Sequence, residues 1–145
     1  MDYGIPLGRR FRALKLWFTL RYFGVEGIAD RIREHIRLAR RFAEWIDEHS
    51  EFERLAPVPL STVCFRAHWQ GMEDDCLNRF NEQLMQAINH TGEAFLSHTK
   101  LSGRFTLRLV VSQLRTNETH VARVWEVVQE QMHLLSCAAR QTPTR

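Results

Sequence analysis

Cys64 and His68 are the first pair whose residue types could hold a metal ion, and Cys76 follows them in the sequence. The residues around the pair alternate between apolar and polar types, which predicts a β-strand. Residues four positions apart on a strand are separated by about 13 Å, whereas two ligands of one zinc ion must each lie within about 2.3 Å of it. Because the sequence also lacks CxxC and HxxxH patterns, we expect no metal site and a structural role for the cysteines.

Nucleophilic and phosphate-binding chemistry also lack their usual signatures. A serine or cysteine nucleophile needs a base that is held by a third group, and the sequence has neither a Gly-x-Ser-x-Gly elbow nor a cysteine-protease motif. The glycine patterns that cradle phosphates do not occur. The seven histidines share no motif. The motifs therefore identify no catalytic residue.

Two local features are compatible with ligand binding, and each has a plainer alternative. The turn Ile5-Pro6-Leu7-Gly8 ends in a glycine just before a predicted helix, where a ligand could approach closely and free N–H groups would suit an anion. An ordinary turn that leads into a helix explains the same pattern. Arg108 lies on the polar side of a predicted strand, where arginines usually face solvent or pair with a carboxylate, so we give it no catalytic role.

The composition is typical of an ordinary globular domain, since 44% of the 145 residues are hydrophobic and 26% are charged. A domain of this length buries about two-thirds of the surface of its unfolded chain and needs no staple. The three cysteines form no disulfide framework, which favours a reducing compartment. No apolar run approaches the ~20 residues of a spanning helix, and no signal peptide is evident. We expect a cytoplasmic protein that does not insert into a membrane.

Basic residues are concentrated in the first part of the chain. Residues 1–41 carry ten basic and four acidic side chains, a net charge of +6, whereas the whole chain has a net charge of +3. This asymmetry is compatible with nucleic acid or another acidic partner. Solvated arginines on helix faces are the more common explanation.

The periodicity of apolar residues predicts the elements. Helices are predicted at residues 9–23 and 28–49, with interruptions at Gly24 and Gly27, then from residue 73 to Gly92 and from Asn117 onward; strands are predicted at 52–55, 62–69, 95–99 and 105–111. The short connections predict an α+β fold, with an antiparallel sheet covered on one face by the two later helices and with the first helices protruding. We expect one core, which contains Val63, Phe65, Leu84, Ile88, Leu107, Leu109, Val124 and Val128.

The segment Ile5-Pro6-Leu7-Gly8-Arg9-Arg10-Phe11-Arg12-Ala13-Leu14-Lys15-Leu16-Trp17-Phe18 resembles the one that opens the C-terminal domain of group II pyridoxal-phosphate-dependent decarboxylases, the aromatic-L-amino-acid decarboxylase family. The similarity covers nearly the whole chain. It continues at residues 21–27, His35, 38–39, 52–53, 63–66, 88–89, 107–108, 120–121 and Trp125.

This resemblance implies the C-terminal small domain of a fold-type-I enzyme, a dimeric carboxy-lyase that acts on aromatic L-amino acids with pyridoxal 5'-phosphate. It implies one domain over residues 1–145, with a leading turn (1–8), helices (9–49), an α/β layer (50–137) and a tail (138–145). The first helix, apolar nearly all round, would be buried against the missing cofactor-binding domain and the dimer partner. The family's cofactor-binding lysine, histidine and aspartate lie upstream, and neither Lys15 nor Lys100 stands in that motif. The chain alone is therefore expected to be inactive.

Two residues carry over from the family as substrate-binding residues. Leu7 and Gly8 match the turn that lines the substrate pocket, that of the neighbouring subunit. Relatives that act on histidine have a serine at the position of Gly8, and a glycine there leaves room for a catechol or indole ring. The resemblance distinguishes neither the particular aromatic amino acid nor a decarboxylase from an aldehyde synthase.

Two other readings of the sequence stay open. The chain could be an autonomous α+β module whose Arg-rich helical face binds nucleic acid or another acidic partner, or it could serve only a structural role beside a full-length subunit. Binding to nucleic acid would weaken steeply with salt, which separates the first of these readings from an enzyme domain.

Overall fold

The computed structural model describes residues 12–141, with side chains over residues 13–137. The chain divides into two compact units, Met1–Arg33 and Glu34–Arg145. The described residues form helices α1 (Arg12–Glu48), α2 (Asp74–His90) and α3 (Glu118–Gln141), and strands β1 (Phe52–Arg54), β2 (Thr62–Ala67), β3 (Ser97–Leu101) and β4 (Arg104–Val110).

In the first unit, α1 is interrupted at Gly24. This residue has φ 67° and ψ 177°, a backbone conformation outside the helical region. Such a conformation is almost restricted to glycine, so the interruption predicted at Gly24 is confirmed. Gly27 does not interrupt the helix.

Most of the apolar side chains described before Phe23 are exposed, as predicted for the first helix of an isolated chain. The exposed fractions of Leu16, Trp17 and Phe18 are 61%, 53% and 58%. Their helix has apolar residues around most of its circumference and lacks a described element of its own unit to cover them. Burial of this helix therefore requires more protein than its own unit supplies.

The second unit contains an antiparallel sheet with the strand order β1-β2-β4-β3. The register pairs Val63 with Leu109 and Phe65 with Leu107, so the apolar sides of β2 and β4 lie on the same face. Ser102 and Gly103 join β3 to β4, and both have positive φ angles, 51° and 81°. A two-residue turn of this kind matches the twist of a hairpin. The predicted antiparallel α+β fold is confirmed.

A single core covers the inner face of the sheet. Val63, Phe65, Leu84, Ile88, Leu107, Leu109 and Val128 are buried together in it, and Val124 packs against it partly buried, as predicted. The structure adds a contribution from α1, because Leu38, Phe42 and Ile46 are fully buried in the same core. These three residues recur every four positions and thus lie on one face of the helix.

Three asparagines of α2 hold backbone segments of the sheet. Asn81 is fully buried, and its side chain accepts a hydrogen bond from Ala67 N (2.7 Å) and donates to Ala67 O (2.9 Å). Asn89 makes the same pair of bonds with Leu96, at 2.7 and 2.9 Å. Asn78 accepts from Phe105 N at 2.6 Å. These bonds fix α2 against the ends of three strands.

Candidate functional site

The two substrate-binding residues predicted from the sequence, Leu7 and Gly8, lie outside the described residues. Their contribution to a pocket stays a prediction. The two lysines, Lys15 on α1 and Lys100 on β3, are described, and both are exposed. Each lies at the surface of a different unit.

The polar face of the sheet, opposite the core, carries a group of charged and polar side chains. We define this face by Glu53, Cys64, Arg66, Ser97 and Arg108. The register places Cys64 beside Arg108, and Arg108 beside Ser97, so these three residues form a row across β2, β4 and β3. Successive residues of a strand point to opposite faces, which explains why this row is separate from the core.

Arg108 is held in place by its neighbour in this row. Its Nε donates a hydrogen bond to Ser97 Oγ at 3.0 Å. Over the part of the chain that the structure describes, its two terminal nitrogens have no hydrogen-bond partner, and the side chain is exposed. A guanidinium held through Nε keeps its terminal nitrogens available for a carboxylate or phosphate. This geometry permits anion binding, which the sequence did not predict.

The thiol of Cys64, beside Arg108 in this row, is in an environment that disfavours its charged form. Burial raises the pKa of its thiol, and the positive charge of Arg108 opposes this rise to a smaller extent. A thiol with a raised pKa is mostly protonated near pH 7, and the protonated form is a poor nucleophile. The electrostatics of this face therefore give Cys64 no activated thiolate.

Arg66 is buried in a cluster of charged side chains. Its side chain is 3% exposed, and its Nε donates to Glu53 Oε1 while Nη1 donates to Asp74 Oδ1 at 3.0 Å. His68 Nδ1 lies 3.6 Å from Glu53 Oε1. The cluster joins β1, β2 and the start of α2. In the sequence, only the acidic residues Glu53 and Asp74 indicated that Arg66 could be buried in ion pairs.

Within residues 13–137, no three side chains among His, Cys, Asp and Glu come together in a way that could hold a metal ion. None of the described helices is long and apolar enough to cross a membrane.

Three arginines of α1 have acidic partners in their own units. Arg33 pairs with Asp30 at 2.8 Å in the first unit. In the second unit, Arg37 pairs with Glu34 at 2.8 Å and with Glu118 at 3.1 Å, and Arg41 with Glu44 at 3.0 Å. These carboxylates neutralise three of the arginines that phosphates would otherwise contact, which weakens the argument for a nucleic-acid interface at those positions.

Comparisons with known proteins extend over most of the chain. The sequence profile of the pyridoxal-dependent decarboxylase conserved domain matches residues 1–68. Tyrosine decarboxylase 2 of Arabidopsis thaliana is 44% identical over 130 residues, which are 89% of this chain and 24% of the relative. Phenylacetaldehyde synthase of Arabidopsis thaliana is 41% identical over 134 residues, or 92% of this chain and 27% of the relative.

Solved structures match as well. The crystal structure of Oryza sativa TDC with PLP has a TM-score of 0.82 and 32% identity, over 91% of this chain and 29% of that chain. The structure of Catharanthus roseus tryptophan decarboxylase in complex with L-tryptophan has a TM-score of 0.78 and 38% identity, over 92% of this chain and 28% of that chain. The chain spans about a quarter of the length of the curated relatives it matches.

Proposed function

We propose that this chain is the C-terminal domain of a group II pyridoxal-phosphate-dependent decarboxylase that acts on aromatic L-amino acids. The observation that carries the proposal is similarity in both sequence and fold, over nine-tenths of the chain, to tyrosine and tryptophan decarboxylases. The complete enzyme would use pyridoxal 5'-phosphate, which supplies the electron sink for loss of the carboxylate.

The described residues do not themselves form a cofactor site. Covalent attachment of the cofactor requires a lysine amine in an enclosed and oriented position. Lys15 and Lys100 are both exposed, and they belong to different units. We therefore assign the cofactor-binding lysine to a part of the enzyme outside this chain, and we give the chain the role of completing the substrate pocket.

Leu7 and Gly8 would line that pocket in the complete enzyme. The absence of a side chain at Gly8 would leave space for a large aromatic ring, which supports phenol, catechol or indole substrates over imidazole. The apolar side chains of the first unit, Leu16, Trp17 and Phe18, would be covered by the cofactor-binding domain and by a second subunit. Exposed apolar residues in this number support such an interface.

A cytoplasmic location is also proposed. This proposal rests on cysteine chemistry, because Cys64, Cys76 and Cys137 are free thiols. Free thiols are typical of reducing compartments.

A chimaeric enzyme tests the proposed function. Residues 1–145 would replace the matching region of Oryza sativa TDC, whose structure guides the junctions. We expect the chimaera to bind pyridoxal phosphate and to release carbon dioxide from tryptophan, tyrosine or phenylalanine. Quantifying amine against aldehyde identifies the reaction type. A folded, cofactor-loaded chimaera without turnover of any aromatic amino acid would contradict the proposal.

The substitution Gly8→Ser tests the pocket in the same chimaera. The added hydroxymethyl group would occupy space needed by the ring, so we expect kcat/KM to fall more for tryptophan than for histidine, by about 1–3 kcal/mol in relative transition-state binding. Ala13→Ser, a similar change at an exposed position of α1, serves as the control. Equal losses for both substrates would remove Gly8 from the pocket.

A further inference from the structure

His133 and Cys137 are a pair of metal-ligating side chains in direct contact on α3. The distance between Cys137 Sγ and His133 Nε2 is 3.6 Å. In a tetrahedral zinc site, bonds of about 2.3 Å to sulfur and about 2.0–2.1 Å to nitrogen place these two ligand atoms about 3.5–3.6 Å apart. The two atoms therefore already have the separation that one bound ion requires.

The helix explains why this pair can chelate. Residues four positions apart are neighbours on one side of a helix, whereas on a strand the same spacing separates them. Cys64 and His68 have the same sequence spacing, but Cys64 lies on strand β2. The argument against chelation by that pair therefore does not apply to His133 and Cys137, which lie on helix α3. His133 is exposed and Cys137 is half-buried, so an ion can reach both ligand atoms from solvent.

The part of α3 that precedes the pair carries an excess of negative charge. Glu126, Glu130, His133 and Cys137 follow one another at intervals of four, three and four residues, which places them on one face of α3. Arg123 bonds to Glu126 and Glu130, each at 3.0 Å, and to Glu93 at 2.7 Å. Three carboxylates thus share the single positive charge of Arg123. The negative charge that Arg123 does not neutralise attracts a cation to this face.

We propose that His133 and Cys137 bind one thiophilic divalent metal ion, with Zn²⁺ as the representative ion. His133 would bind through Nε2 and Cys137 as the thiolate, the thiol proton passing to solvent as the sulfur–metal bond forms and water leaves the ion. No third protein ligand is present within the described residues, so water would complete the coordination. Thiolate and imidazole ligands select Zn²⁺ or Cd²⁺ over Mg²⁺ and Ca²⁺. The proposal is independent of the decarboxylase function.

Cobalt binding tests the site in the purified 145-residue chain. Thiolate ligation of Co²⁺ gives a charge-transfer absorption band. We therefore expect this band to saturate at a stoichiometry of one Co²⁺ ion per chain and to disappear when excess Zn²⁺ is added. Cys137→Ser and His133→Gln should each lose the saturable band, whereas Cys76→Ser, which removes an exposed thiol on α2, should retain it. A band that persists in Cys137→Ser or in His133→Gln, or a wild-type chain without a saturable band, would overturn the proposal.

Alkylation of the unsubstituted chain gives a second measurement that requires no variant. Zn²⁺ should protect Cys137 from iodoacetamide, as followed by peptide mass spectrometry, and should leave the alkylation rate of Cys76 unchanged. Mg²⁺ should protect neither thiol. Equal protection of both thiols by Zn²⁺, or no protection of Cys137, would show that the pair is not a specific site.

Discussion

Arg66 is the most deeply buried of the ion-paired arginines among the described residues. Its side chain is 3% exposed, compared with 51% for Arg37 and 42% for Arg123. A buried guanidinium is stable only when carboxylates and hydrogen bonds replace its lost hydration. Glu53 and Asp74 provide these contacts from β1 and from the start of α2. The arginine therefore holds an edge strand and a helix start to β2.

We expect Arg66→Gln to lower the free energy of unfolding by about 1–3 kcal/mol, because Glu53, whose side chain is only 29% exposed, loses a charged partner. Arg54→Gln is the matched control. Arg54 pairs with Asp47 at 2.9 Å, but the two side chains are 33% and 46% exposed, so the loss should be about 0–1 kcal/mol. Urea denaturation of the two variants measures the difference. Equal losses would show that burial of Arg66 adds nothing to its ion pairs.

The contact between Cys64 and Arg108 can be tested through thiol reactivity. Burial raises the pKa of Cys64 and Arg108 partly opposes the rise, so Arg108→Gln should raise this pKa further. Alkylation proceeds through the thiolate. We therefore expect Cys64 to react more slowly than exposed Cys76 near pH 7, to accelerate as the pH rises, and to become slower still in Arg108→Gln.

The measurement is the alkylation rate of each cysteine with iodoacetamide, followed by peptide mass spectrometry over a range of pH. Arg115→Gln removes an exposed arginine outside the sheet and serves as the control, for which the rate at Cys64 should not change. A faster reaction of Cys64 in Arg108→Gln would show that Arg108 shields the thiol sterically rather than lowering its pKa.

Among the elements, helix α1 contains two glycines, Gly24 and Gly27. We expect their replacement by alanine to have opposite effects on the stability of the helix. Gly24 has a positive φ, so Gly24→Ala should lower the local stability of the helix by about 1–3 kcal/mol. Gly27 is helical, and an added Cβ would make an ordinary 3.6 Å contact with Phe23 Cβ, so Gly27→Ala should raise the stability by about 0.5–1 kcal/mol.

Hydrogen exchange of peptides from residues 12–33 measures these local changes directly. Protection should fall in Gly24→Ala and rise in Gly27→Ala. The same sign for both substitutions would mean that the interruption at Gly24 is absent from the chain in solution.

The elements themselves were largely predictable from the sequence, because their signals are local. Alternation of apolar and polar residues identified β2 and β4. The third strand begins at Ser97 rather than at Phe95, which is 81% exposed, because β-propensity does not reveal where strand pairing begins.

Features that depend on contacts between distant residues were not predictable. The spacing of Leu38, Phe42 and Ile46 defines an apolar helix face but not the sheet that it covers. Asn81 is polar, and its bonds to the backbone of Ala67 and Leu77 explain its burial. His133 and Cys137 differ from these features, because their spacing of four residues on a predicted helix is a local signal. The substrate turn with Leu7 and Gly8 lies outside the described residues and stays a prediction.

At the scale of the whole molecule, the chain contains more apolar surface than a domain of its size needs to expose. Trp17, Phe18 and Leu20 are each about half exposed, at 53%, 58% and 49%. Contiguous apolar surface of this kind marks an interface with further protein. Together with the coverage of about a quarter of the matched relatives, this surface supports the proposal that the chain is one domain of a larger enzyme.

We therefore expect the isolated 145-residue chain to be catalytically inactive. Decarboxylation requires a covalently held cofactor, a partner for its pyridine nitrogen and a site closed to water, and the described residues provide none of these together. Lys15 is exposed and can react slowly with free pyridoxal phosphate, as accessible amines do, but no enclosed site surrounds it. The measurement is release of carbon dioxide from tryptophan and tyrosine by the purified chain with excess cofactor, with the chimaera as the positive control. Saturable turnover by the chain that Lys15→Ala abolishes would contradict this prediction, because it would place a complete active site within these residues.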